Sequence, residues 1–139
     1  MIFYEFIYFY MHMTMRYASS VMNEEQMKKL QEYLGPVIVS TSIDSFIMHW
    51  PQELKEKITD DFYDCLNDAD IEYATAKEII SKDDPFKENT LCYKLGVRVS
   101  EWIGNSLNPS SIFEVTMMAT DELIKMKLNN LVTEAANTL

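Results

Sequence analysis

The sequence predicts an all-α domain, and three observations carry that prediction. Gly and Pro together number seven of 139 residues, too few for the corners of a β-sandwich or barrel. Apolar residues recur at three- and four-residue spacing through most of the chain. Helix-capping residues stand in front of those periodic segments. With 47% hydrophobic and 24% charged residues the chain is globular, and its length suits a single domain over residues 1–139 with a real core.

The elements follow in order. Residues 1–15 are strongly apolar and open a first helix, about Phe3 to Ser19. Glu5 interrupts that run and Arg16 ends it, and it falls short of the ~20 residues of a membrane span. It lacks a signal peptide's basic start and small-residue cleavage site, so a buried helix is expected, with a peripheral membrane contact as the alternative. Met11, Met13 and Met15 allow a later translation start. Asn23 with Gln26 forms a capping box for a second helix carrying Met27, Leu30 and Leu34, which Gly35-Pro36 should stop. The β-branched Val37–Val39 reads as an extended connector, and Ser42 caps a short helix over Ile43–Trp50.

Pro51 suits the first position of the next helix, where Leu54, Ile58, Phe62 and Leu66 repeat at i, i+4. Asp68 and Asp70 then open a separate helix with Ile71, Ala74, Ile79 and Ile80 on its apolar side. Asp83-Asp84-Pro85 marks a break, with Asp84 as cap. The helix after it, Phe86–Ile103, carries the stripe Leu91, Leu95, Val99 and Trp102, and Gly104-Asn105 ends it. Gly96 within it costs about 1 kcal/mol relative to Ala, which close approach of a neighbouring helix would repay. Asn108-Pro109 starts the last stretch, with Ser111 and Glu114 as a second capping box. Phe113 to Ala135 then forms one long helix or two.

The chemistry is sparse. A net charge of −10 argues against a free-standing nucleic-acid binder and against docking on anionic membrane. No phosphate loop, dinucleotide loop, nucleophile elbow or zinc-protease motif is present, so no enzyme is expected. His12 and His49 stand on separate elements and read as core or boundary residues, with no metal-ligand spacing around them. A calcium loop starting at Asp68 would put Tyr73 where Gly is required and Ile79 where Glu is required, so no metal and no cofactor are expected. Cys65 and Cys92 read as small buried residues, and with no N-x-S/T acceptor in the chain a reducing compartment is expected. Ten methionines on helical segments suit an adaptable interaction surface that takes a partner helix in a groove.

The segment Leu91–Leu107, with Gly96 inside the helix, Trp102 and Gly104 at its end and a Phe/Met-rich helix after it, resembles the later helices of small Bcl-2-like proteins of large DNA viruses such as poxviruses and iridoviruses. Lys77-Glu78 before paired isoleucines resembles the preceding helix of that family. The likeness spans about residues 70–132; the Asn-Trp-Gly-Arg signature of cellular members is not present, and Trp102-Ile103-Gly104-Asn105, at the helix end, is only a loose echo of it. It implies a Bcl-2-like bundle of six to eight helices around a central hydrophobic helix at Phe86–Ile103. It also implies a tail-less viral apoptosis inhibitor in the host cell cytoplasm, with no membrane anchor. Such a protein sequesters host pro-apoptotic BH3 helices in a groove. By position, the groove residues would be Phe62, Tyr63, Leu66, Ile71, Tyr73, Ile79 and Leu95, with Arg98 meeting the ligand's Asp. The alternative on the same fold is an inhibitor of innate-immune, NF-κB-type signalling that binds by a surface face. The apolar excess of the first helix also suggests a homodimer.

Overall fold

The structure is a computed structural model describing residues 2–84, 87–104 and 108–139. The chain is all-α. In order it forms α1 (Ile2–Val21), α2 (Glu24–Val39), a π-helical turn (Ser40–Asp44), α3 (Ser45–Ile47), α4 (Gln52–Ala74), α5 (Leu91–Trp102), α6 (Pro109–Met126) and α7 (Leu128–Thr138). Among the described residues the one extended pairing is an isolated bridge between Glu78 and Thr90.

Several expected caps form. Asn23 and Gln26 make the reciprocal capping box, Gln26 N–H to Asn23 Oδ1 at 3.0 Å and Asn23 N–H to Gln26 Oε1 at 3.1 Å. Asn108 caps α6, its Oδ1 accepting from the backbone N–H of Ser110 and Ser111; Asn108 therefore does the work assigned to Ser111.

Other boundaries move. Gly35-Pro36 does not stop α2, which continues through Val39, so the expected connector is helical. The clash that normally ends a helix before Pro involves the preceding residue's Cβ, and Gly35 has none. One π-helical turn then leads into the single turn α3, with Val39, Ile43 and Ile47 buried at four-residue spacing. Helix α4 runs unbroken to Ala74, because Asp68 and Asp70 sit within it as surface residues and cap nothing. Ile79 and Ile80 lie beyond its end, in an irregular segment. Helix α5 begins at Leu91, capped by Thr90 Oγ1. The expected start at Phe86, with Pro85, lies outside the described residues, as does Asn105. The terminal stretch resolves into two helices, broken at Lys127, which adopts left-handed backbone with φ 50°.

The irregular segment has a defined task. The carbonyls of Glu78 and Ile79 accept from the N–H groups of Leu91 and Cys92 at 2.9 and 3.0 Å. These are first-turn donors of α5 that have no partner within the helix. Arg16 on α1 reaches the carbonyls of Ala76 and Lys77, each at 3.0 Å, and so ties the same segment to the first helix.

One hydrophobic core takes residues from every long helix. Helix α1 packs against α2, α4, α5 and α7, burying Tyr8, Phe9, Met13 and Ala18. Helix α5 packs against α1 and α6 and buries Leu91, Cys92, Leu95, Gly96, Val99 and Ser100. A Cβ on Gly96 would stand 2.7 Å from the Ile112 carbonyl oxygen, so α5 and α6 approach there as the sequence suggested. Among the described residues, no helix is long and apolar enough to cross a membrane.

Candidate partner-binding cleft and the buried arginine

Three helices frame a cleft of about 250 Å³. From α4 come Tyr63, Leu66, Asn67 and Asp70, whose i, i+3, i+4, i+7 spacing places them on one helical face. Helix α2 adds Gln31, Leu34 and Gly35, and α1 adds Met11, His12 and Met15. The walls converge at Gly35, where a Cβ would stand 3.3 Å from the Tyr63 hydroxyl oxygen. At one end His12 Nδ1 lies 2.6 Å from Asp70 Oδ1. A second depression of about 350 Å³ adjoins across His12, Met15 and Asp70, and reaches on to Arg16, Ala74 and Ala76. The two share one wall along α4 from Tyr63 to Ala74, about 16 Å at the α-helical rise.

The sequence-predicted groove residues are not brought to one place. Tyr63 and Leu66 line the cleft. Phe62, Tyr73 and Leu95 are buried core, with Phe62 against the rings of Tyr4 and Tyr8 and Tyr73 edge-on to Phe9. Ile71 is 70% exposed. Ile79 lines a separate depression with Tyr17, Cys92 and Leu123. The apolar excess of α1 is absorbed within the fold, leaving Ile2, Phe3 and Val21 exposed near its ends.

Arg98 is held inside the fold. Its Nε and Nη2 donate to the two carboxylate oxygens of Glu5 at 2.5 and 3.1 Å, and its Nη1 donates to Glu72 at 2.7 Å. The Trp102 indole N–H donates to the same Glu5 carboxylate at 2.8 Å. Glu5 is 3% exposed, so this fork is a charge pair largely removed from water. Burial pulls the guanidinium pKa down, but the hydrogen bonds it donates to Glu5 and Glu72 outweigh it and the net direction is upward. The recess beside it, about 360 Å³, is also lined by Cys65, Asp68 and Glu101. A ligand carboxylate entering there would meet three acidic side chains, Glu5, Asp68 and Glu101, around one guanidinium already in use.

Sequence reasoning missed this cluster. The available signal was Glu5, the single acidic residue in the apolar run of residues 1–15, which a buried helix would have to pair with a cation from elsewhere in the chain. The Tyr73 hydroxyl, on a ring whose centroid lies 5.9 Å from the guanidinium carbon, and the Ser100 hydroxyl elsewhere on α5 are buried without a hydrogen-bond partner among the described residues. Burial, then the nearby Glu5 carboxylate, raises the Tyr73 pKa, with Arg98 opposing.

The remaining titratable groups offer little reactivity. Cys92 is buried, and burial pushes its thiol up against the lowering effect of its Thr120 hydrogen bond, so it stays protonated near neutral pH. Cys65, expected to be buried, is exposed: it borders the α4 stripe beside Tyr8 and lines the open recess next to Arg98. Among the described residues no group of three His, Cys, Asp or Glu side chains is placed to hold a metal ion. No family model, no curated protein and no solved structure matches the chain.

Proposed function

We propose that this domain is a non-catalytic interaction module that captures an amphipathic helix of another protein in the cleft between α1, α2 and α4. In the specific form implied by the resemblance at Leu91–Leu107, the captured helix is the BH3 segment of a host pro-apoptotic protein. The consequence would be inhibition of apoptosis in the host cell cytoplasm. The observation that carries the reading is the cleft itself, walled by Met11, Met15, Leu34 and Leu66 on three different helices. Apolar side chains at i, i+4 and i+7 of a ligand helix suit such a groove, and flexible methionines adapt to their shapes. The ligand docks along α4, and Arg98 stays with Glu5 and Glu72.

Titration of labelled BH3 peptides by fluorescence polarisation tests this. Saturable binding is expected, weakened at least about ten-fold by Leu34→Glu, at a position that lines the cleft without packing on the core cluster, a loss of about 1.4 kcal/mol. Absence of binding by every such peptide at concentrations on the order of tens of micromolar rejects the BH3 form.

A second reading has its own support. Phe46, Met48, Trp50 and Leu54, between α3 and the start of α4, are all at least 47% exposed. An apolar group of that kind suits docking by a surface face, as in the inhibition of innate-immune signalling. Silent BH3 peptides, together with a signalling partner lost on Phe46→Ala and Trp50→Ala, would favour it.

A further inference from the structure

Helix α4 carries eight acidic and two basic residues, a net −6 of the chain's −10. Those charges are not spread evenly around it. Glu56, Asp60 and Asp64 are exposed and spaced i, i+4, i+8, which sets them in one row. Asp60 and Asp64 each stand three residues before a cleft residue, Tyr63 and Asn67, so the row runs along the open edge of the cleft. None of the three is in an ion pair among the described residues. On the opposite wall, α2 neutralises its own lysines: Lys28 pairs with Glu32 and Lys29 with Glu25. The cleft therefore has an apolar floor, one near-neutral wall and one strongly acidic rim.

We propose that the occupant of this cleft is a cationic amphipathic helix. Its apolar face fills the space over Met11, Met15, Leu34 and Leu66, and its Lys or Arg side chains lie along Glu56, Asp60 and Asp64. The α4 wall from Tyr63 to Ala74 matches about three turns of such a helix. Rim charges of this kind act on encounter and on choice of partner more than on final affinity. They also act over about 8 Å at physiological salt, so the effect is salt-sensitive. The inference rests on the reading of the cleft as a helix dock and adds the sign of its ligand.

Two labelled peptides of about 20 residues test it, both with Leu at four positions spaced i, i+4, i+7, i+11. One carries Lys on its other faces and its twin carries Glu. The Lys peptide is expected to bind at least about ten-fold tighter, and Leu34→Glu to abolish its binding. In the Glu56→Gln, Asp60→Asn, Asp64→Asn variant the preference should collapse. A control of equal net charge, Glu114→Gln, Glu122→Gln, Glu134→Gln on α6 and α7, should keep it. If the control loses the preference equally, the attraction is that of an acidic protein at large and the inference fails. Equal binding of both peptides, lost in Leu34→Glu, overturns the charge inference and leaves the dock standing. Binding of neither peptide overturns both.

Discussion

At the scale of single residues, Arg98 and Tyr73 show how differently two buried polar groups behave. Arg98 has every reason to stay: two carboxylates receive it and a Trp shares one of them. Arg98→Ala would leave Glu5 buried and without its cation, and should destabilise the fold by about 3–5 kcal/mol in urea denaturation. A change near zero would mean that water already reaches Glu5. The Tyr73 hydroxyl is buried without a partner among the described residues, so Tyr73→Phe should be neutral or stabilising by about 1 kcal/mol. Its proton also gives an alkaline signature. The folded pKa is raised above the unfolded value of about 10, so stability is at its full value below that pH. Above it the unfolded chain releases the proton first while the folded state holds it, and stability falls as pH rises. Tyr8, raised chiefly by burial, adds the same sign. The urea midpoint should drop above about pH 10, less steeply in Tyr73→Phe.

At the scale of elements, what was legible in the sequence was local chemistry, and what was not was pairing at a distance. The Asn23–Gln26 box, the Asn108 cap and the tight crossing at Gly96 each depend on residues within one or two turns or on a single missing Cβ. The crossing predicts that Gly96→Ala, which thrusts a methyl at the Ile112 carbonyl, costs about 1–3 kcal/mol by forcing α5 and α6 apart. A midpoint equal to the parent's would show that α6 can slide. Misplaced boundaries came from residues whose local preference was overruled. Asp68 and Asp70 favour helix starts, yet α4 runs through them because Ala69 and Tyr73 continue the buried stripe. Pro36 normally ends a helix, yet it follows a glycine and is tolerated. The cleft was half legible: Tyr63 and Leu66 belong to it, but the contributions of α1 and α2 depend on how three helices meet.

At the scale of the molecule, the partition of charge is the main functional statement. Acidic surface concentrates on α4, while the buried charge is balanced locally by Arg98 with Glu5 and Glu72. A salt series on any genuine ligand should therefore separate two effects. Affinity for a basic helix should fall with added salt, while the folded state, held by apolar burial and a shielded ion pair, should respond little.

The placing of α1 against α2, α4, α5 and α7 also bears on how the chain is made. A ribosome delivers α1 first and α7 last. Tyr8 and Phe9 thus gain their ring partners Phe62 and Tyr73 only once α4 has been made, and Glu5 waits for an arginine 93 residues downstream. Until α4 and α5 emerge, the nascent chain therefore exposes an aromatic helix of the kind that invites aggregation.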